Sequence, residues 1–195
     1  GFWIGCMGNT DDYYSDVREW GREHWTDTIR HLVRVVKVGV LLTGSDAERP
    51  SLERLRLRSG VDEDVCVITG QIGTEDGTSQ LLGLTTLARA YIGRDTGPMH
   101  LAAALGKPVI AVFGGGTWPR FTPMATPSLA ITVAMPCAPC GWFCHLPEPL
   151  CIRMVPPARI LQAITAIADG SARRRLVEAL NPEGGLREGS VWEAL

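Results

Sequence analysis

The sequence lacks any strong excess of charge, since 19 Lys and Arg residues stand against 21 Asp and Glu and the net charge is −2. The basic residues are scattered, whereas proteins that bind nucleic acids concentrate them, so we expect no nucleic-acid partner. Long apolar runs are lacking too: the longest span about 6 to 9 residues, and a bilayer-spanning helix needs about 20. The first residues show no secretory signal pattern. These absences predict a cytoplasmic protein without a transmembrane segment.

Two nucleotide-binding motifs are also missing. No G-x-G-x-x-G run occurs, so the fingerprint of the dinucleotide-binding turn is absent and an ordinary dehydrogenase is disfavoured. The P-loop pattern G-x-x-x-x-G-K-[ST] is absent as well, because Gly106-Lys107 is followed by Pro108. If the chain binds a nucleotide, it therefore uses another arrangement of loops.

What the sequence does contain is an alternation of apolar runs with helical patterns. Short apolar runs indicate strands at 2–6, 38–42, 65–69, from 91, 109–113 and 129–133. Strands that alternate with helices, without an internal repeat, predict an α/β fold with a Rossmann-like, doubly wound parallel sheet. We predict a single domain over residues 1–170. A short basic helix and a mobile tail are predicted over residues 171–195.

The stretch from Tyr91 to Gly116 organises this predicted sheet. Its order is strand, tight turn, helix and strand, with Pro98 at the first helical position and Gly106 at the helix end. In parallel sheets ligands bind where strands give way to helix N-termini, and such N-termini attract phosphate. We therefore predict a phosphate-binding site that contains Asp95, Thr96, Gly97 and His100. Turn chemistry alone also fits a plainer alternative, in which these residues only cap the helix and form the turn.

Residues 95–114, D-T-G-P-M-H-L-A-A-A-L-G-K-P-V-I-A-V-F-G, closely resemble the signature of glycosyltransferase family 9. This family includes the heptosyltransferases that build the inner core of lipopolysaccharide. Two further segments resemble the family in the expected order, R-E-W-G-R-E-H-W at 18–25 and L-L-T-G-S-D-A-E at 41–48. The resemblance spans roughly residues 2–170. It implies the C-terminal, donor-binding domain of the two-domain GT-B fold.

The resemblance also implies roles for individual residues. Arg18 takes the place of a family lysine that contacts phosphate or sugar, and Glu48 that of a glutamate that binds the nucleotide ribose. With Asp95, Thr96, Gly97 and His100 they would form the donor site. Arg18 and Glu48 each have a plain alternative: Arg18 could be a solvated arginine at a helix entry, and Glu48 an exposed carboxylate before a helix. The family's general base belongs to its N-terminal half, which has no counterpart here, so we assign no catalytic residue.

The function implied is the inverting transfer of a heptose-like sugar from an ADP-sugar, such as ADP-heptose, to a lipopolysaccharide-type or other saccharide or lipid-linked acceptor. No cofactor is expected for catalysis. The chain would be inactive without an acceptor domain, and the full enzyme would act in the cytoplasm, peripherally at the inner face of the inner membrane. The alternative is a non-catalytic nucleotide- or zinc-binding module on the same scaffold. The loop at 114–120 departs from the usual family form, which leaves the choice of sugar open.

Four cysteines form a separate cluster with the spacing C-x₂-C-x₃-C-x₆-C: Cys137, Cys140, Cys144 and Cys151. The segment 137–151 resembles a cysteine segment found in part of the family. Four thiolates suit a closed, tetrahedral structural zinc site. Two disulfides, or four reduced thiols packed under a loop, fit the same spacing.

Overall fold

A computed structural model of the chain describes residues 1–10, 12–62, 66–70, 75–183 and 185–191. Its strands form one sheet in the order β3-β2-β1-β4-β5-β6-β7-β8. All neighbouring pairs are parallel except the last, β7 with β8, which is antiparallel. The strands are β1 Phe2–Cys6, β2 Gly39–Gly44, β3 Cys66–Gly70, β4 Ala90–Arg94, β5 Val109–Val112, β6 Ser128–Val133, β7 Arg175–Leu180 and β8 Leu186–Val191. The predicted α/β fold with a parallel sheet is confirmed.

Helices lie in every connection between successive parallel strands except that from β5 to β6, where residues 113–127 form turns and irregular backbone. They are α1 Tyr13–Asp16, α2 Arg22–His31, α3 Arg49–Ser59, α4 Glu75–Leu87, α5 Gly97–Ala104, α6 Leu150–Arg153 and α7 Pro157–Ala168. A π-helical turn, Leu32–Val36, extends α2, and a 3₁₀ turn, Asp46–Glu48, precedes α3. Among the described residues, no helix is both long and apolar enough to cross a bilayer.

The core lies on both faces of the sheet, because successive side chains of a strand point to opposite faces. On one face, Val40 and Leu42 of β2 pack with Trp25 and Ile29 of α2 and with Ile160 of α7. On the other face, Leu41 of β2 joins a second cluster that contains Leu81 of α4 together with Met99 and Ala102 of α5. Helices on both faces make the sheet doubly wound, as predicted.

The strand order determines where the functional loops meet. From β1 the chain moves outward to β2 and β3, and it then returns to place β4 on the other side of β1. The loops that follow β1 and β4 therefore diverge at the carboxyl edge of the sheet. In doubly wound sheets this switch point is the usual ligand crevice.

The predicted strands up to residue 133 are confirmed to within a few residues, although residue 65 of the third lies outside the described residues. The short helix predicted after Gly170 is wrong. Residues Arg175–Leu180 form β7 instead, which pairs with β6 over its whole length. R-L-V-E-A-L is compatible with a helix on local propensity, but pairing with an open sheet edge overrides it. The tail predicted to be mobile includes the paired strand β8, while residues 184 and 192–195 lie outside the described residues.

Candidate functional site

The N-terminus of α5 opens at the carboxyl edge of the sheet, directly after β4. Thr96 is its N-cap with an extended backbone, and among the described residues no side chain caps the helix. Pro98 lies in the first turn, as predicted. A Cβ on Gly97 would meet no atom within 4 Å, so space stays open in front of the helix. An uncapped N-terminus with open space before it is a favourable place for an anion.

Asp95 lies at the centre of the predicted site. Its side chain is 12% exposed, and Oδ1 lies 4.0 Å from Nε2 of His100. The Thr117 hydroxyl lies 3.5 Å from Oδ2, at the limit of a hydrogen bond. Burial raises the pKa of the Asp95 carboxyl, while the charges of Arg18 and His100 and the contact with Thr117 partly offset that rise. The structure thus brings Asp95, His100 and Arg18 into one electrostatic neighbourhood.

Asp95→Asn is expected to stabilise the fold at neutral pH. The folded pKa of Asp95 lies above its ordinary value of 3.8, so ionisation is less favourable in the folded chain than in the unfolded one. The free-energy cost of ionising Asp95 in the folded chain is absent well below pH 3.8. It grows as the pH rises from 3.8 to the folded pKa, and it is complete above the folded pKa. The gain in free energy of unfolding should therefore grow from acid to neutral pH in urea titrations.

The control for this prediction is Asp12→Asn. Hydrogen bonds from Thr10 and from the backbone of Ser15 lower the pKa of Asp12, so its ionised form stabilises the fold. That contribution is present at neutral pH and is lost as the pH falls through the depressed folded value. The variant should therefore lose stability at neutral pH. If both variants changed the free energy of unfolding in the same direction at neutral pH, the ionised carboxylate of Asp95 would not be destabilising the fold.

Arg18 reaches the site across the ring of Trp142. The guanidinium carbon lies 4.4 Å from the ring centroid, a distance typical of a cation–π contact. Among the described residues, Nε of Arg18 has no hydrogen-bond partner although it is buried. Trp142 in turn lies against the loop after β5, where a Cβ on Gly116 would come within 2.1 Å of its ring. The absence of a side chain at Gly116 thus makes the position of Trp142 possible.

Glu48 is held by contacts that the sequence did not reveal. Its Oε2 accepts hydrogen bonds from the backbone N–H of Ser45 at 2.8 Å and from the Ser45 hydroxyl at 3.0 Å. Its Oε1 lies 3.2 Å from Nη2 of Arg94, at the end of β4, which also donates to the carbonyl of Gly8. Arg94 is only 3% exposed. Glu48 is therefore a partner of a buried arginine as well as a candidate ligand residue.

Thr96 links the turn to the interior of the sheet. Its hydroxyl lies 3.2 Å from the hydroxyl of Tyr91, whose pKa burial raises well above the ordinary value. Cys6, at the end of β1, is buried beside Arg94 and Thr96, and burial raises the pKa of its thiol. Both groups remain protonated at neutral pH. They act as packing and hydrogen-bonding groups rather than as charges.

The four clustered cysteines all have free thiols and lie in and after the loop that follows β6. Cys140, Cys144 and Cys151 line one small pocket together with Gly115 and Gly116. The backbone N–H of Gly115 lies 3.1 Å from the sulfur of Cys151. Among the described residues, no three His, Cys, Asp or Glu side chains are placed so that together they could hold a metal ion. The cluster thus adjoins the glycine loop of the candidate site.

The structure therefore gathers five of the predicted site residues at the edge of β4: Arg18, Asp95, Thr96, Gly97 and His100. It connects the sixth, Glu48, through Arg94. The sequence analysis missed Arg94, although a charged residue that ends the apolar run Ala90–Arg94 was a usable signal. The contact of Trp142 with Arg18 had no local signal, because the two residues lie in distant segments.

An open cleft also lies away from this site. It is lined by residues of α7 and by the start of β6 and β7, including Ser128, Arg159, Arg173 and Leu176. The amino ends of parallel strands lie at the edge opposite to the candidate site. The cleft is therefore not part of the site described above.

A family model described as glycosyltransferase family 9 (heptosyltransferase) matches residues 7–142. Lipooligosaccharide heptosyltransferase 2 of Haemophilus influenzae is 26% identical over 110 residues, which are 56% of this chain and 31% of that protein.

Two solved E. coli structures are similar in fold. One, an ADP-heptose lipopolysaccharide heptosyltransferase II, has a TM-score of 0.67 at 20% identity, over 87% of this chain and 47% of its own. The other, a heptosyltransferase solved with ADP, has a TM-score of 0.58 at 19% identity, over 85% of this chain and 44% of its own. The chain thus spans less than half the length of these relatives.

Proposed function

The chain belongs to glycosyltransferase family 9, and from that premise we propose that it is the donor-binding half of a glycosyltransferase. It would hold an ADP-sugar with a heptose-like sugar for inverting transfer to a lipopolysaccharide-type or related saccharide acceptor. The acceptor site and the general base would belong to a second domain. The observation that supports this proposal best is the open N-terminus of α5 beside Arg18, at the switch point of the sheet.

The diphosphate of the donor would lie in front of α5. Transfer of a sugar leaves a nucleoside diphosphate with additional negative charge, which N–H groups of a helix N-terminus and a nearby cation stabilise without a metal ion. The guanidinium of Arg18 is a suitable cation, since its fork matches phosphate oxygens. The space before Gly97 allows a phosphate to approach the backbone closely.

Asp95 and His100 would contact the sugar rather than the phosphates. A carboxylate that faces a phosphate repels it, whereas carboxylate oxygens accept hydrogen bonds from sugar hydroxyls. His100 is 48% exposed beside Asp95, within reach of the same ligand. The two residues would orient the sugar while the helix N-terminus holds the leaving group.

Glu48 would bind the ribose through one oxygen only. Oε2 already accepts two hydrogen bonds from Ser45, which use both of its lone pairs. Oε1 accepts one from Arg94 and keeps one lone pair for a hydroxyl. The H. influenzae relative is named as a heptosyltransferase, and one E. coli structure is described with ADP, which supports an adenine nucleotide as the donor carrier.

Isothermal titration calorimetry with ADP tests the proposal. We expect saturable binding of one ADP by the chain. Arg18→Ala should raise the Kd for ADP at least about tenfold, equivalent to about 1.4 kcal/mol, because it removes the cation that faces the diphosphate. His100→Ala should leave the Kd for ADP unchanged and raise that for ADP-heptose, because His100 contacts the sugar.

The matched control is Arg173→Ala, which removes an equal charge from an exposed position at the opposite edge of the sheet and should leave Kd unchanged. No ADP binding by the parent chain, or an equal loss in the control, would count against the donor site. Sugar transfer is expected only once an acceptor-binding domain is supplied. ADP binding without transfer in that complete protein would favour a non-catalytic nucleotide-binding module.

A further inference from the structure

We propose that Cys137, Cys140, Cys144 and Cys151 bind one zinc ion, which anchors the segment 137–151 beside the candidate site. None of its four ligands belongs to the proposed nucleotide pocket, so zinc content can be measured separately from ADP binding. The zinc would be structural, since four thiolates fill a tetrahedral shell and leave no position for substrate.

The first support is convergence of thiols from different parts of the segment. Cys140, Cys144 and Cys151 line one pocket, although Cys151 lies on α6 and the other two lie in the preceding loop. The Gly115 N–H that points to the sulfur of Cys151 is a typical outer contact of a metal thiolate, since it orients the ligand and stabilises its charge. A loop from a separate strand connection therefore already supports this ligand.

The second support is the backbone between Cys140 and Cys144. Gly141 and Trp142 both have positive φ, 60° and 70°. Glycine adopts this region readily, but a bulky residue such as tryptophan rarely does so unless its surroundings impose it. The turn reverses the chain between the two cysteines and thus brings both of them to the same pocket.

The third support is how little else holds this loop. Between β6 and α6 the chain forms turns and bends, and few of its side chains are buried. Phe143 is 65% exposed, although it is a large apolar residue. The hydroxyl of Tyr13 donates to the carbonyl of Trp142 and accepts from the N–H of Cys144. Long loops without a core of their own need such ties, and a metal ion provides a stronger one.

The side chains as described do not yet surround a common point. Zinc binding would therefore require other thiols of the cluster to change rotamer about their Cα–Cβ bonds, while Cys151 keeps its contact with the Gly115 N–H. Thiolates are the protein ligands that zinc prefers, and binding would release the thiol protons. The bound ion would fix Trp142, and thereby the cation–π contact that positions Arg18.

Elemental analysis of the purified full chain tests this site. After expression with zinc and gel filtration, we expect about one zinc per chain, bound by four thiolates. Cys140→Ser and Cys151→Ser should each reduce the zinc content to background. The control variants Cys6→Ser and Cys66→Ser remove buried thiols outside the segment and should retain the metal.

A second measurement uses the unmodified chain and does not depend on whether the variants fold. Alkylation followed by mass spectrometry should show the four thiols protected with zinc present and reactive after chelation. Zinc at background with no uptake from micromolar zinc would overturn the proposal. Disulfides among these four cysteines in protein handled without air, or equal zinc loss in the Cys6→Ser control, would overturn it too.

Discussion

Glu48→Ala is expected to lower the free energy of unfolding by about 3–5 kcal/mol, because it leaves the buried guanidinium of Arg94 without its carboxylate. Arg94 is 3% exposed and Glu48 16%, so water cannot easily replace the lost partner. The variant also removes the acceptor of the capping box formed with Ser45 before α3. Urea unfolding followed by circular dichroism measures the loss.

The matched control is Asp27→Ala, which breaks an ion pair with Arg30 in which both side chains are well exposed. Exposed pairs contribute about 0–1 kcal/mol, so this variant should remain close to the parent. Adding Arg94→Met to Glu48→Ala removes the stranded charge and should recover part of the loss. A Glu48→Ala variant no less stable than Asp27→Ala would show that Arg94 does not depend on this partner.

Gly93→Ala is expected to destabilise the chain by about 1–3 kcal/mol or more, as overpacking of a core does. Gly93 lies opposite Cys6 in the pairing of β1 with β4, at the centre of the sheet. An added Cβ would lie 2.7 Å from the carbonyl oxygen of Cys6 and 2.6 Å from the hydroxyl of Tyr91. The carbonyl belongs to a paired strand, so it cannot move without disturbing the sheet next to the candidate site.

The same substitution at Gly83 should have the opposite sign. Gly83 lies in α4, and a Cβ there would meet no atom within 4 Å. Alanine in the interior of a helix is about 0.5–1 kcal/mol more favourable than glycine, so Gly83→Ala should stabilise the chain. Thermal and urea unfolding of both variants check the pair. Equal effects would mean that the close approach at Gly93 relaxes without cost.

Local patterns predicted the strands β1 to β6 and the turn between β4 and α5. Apolar runs bounded by turn residues carry that information within a few positions, and Pro98 is placed by its own ring geometry. The residues Asp95 to His100 could be located for the same reason, since they belong to one continuous turn and helix start. The strand β7 could not be, because its state depends on pairing with β6.

The arginines of the site show the same limit. Arg18 was identified by a motif. Its contact with Trp142 forms only because the loop after β6 lies against the segment that follows α1. Arg94 and Glu48 are 46 residues apart, and no local pattern pairs them. The proposed zinc ligands are an intermediate case. Their spacing is visible in the local sequence, but only the tertiary structure brings Cys140, Cys144 and Cys151 next to Gly115.

By itself the sequence determined the class of fold, the family resemblance and the position of the strand–turn–helix that begins at β4, because periodicity and turn chemistry act over neighbouring residues. Only the tertiary structure decided that Glu48 supports a buried arginine, that Trp142 lies beneath Arg18 and that the last segment joins the sheet. Each of these depends on the burial of charge or on packing between distant segments, and their free energy exists only once the sheet has formed.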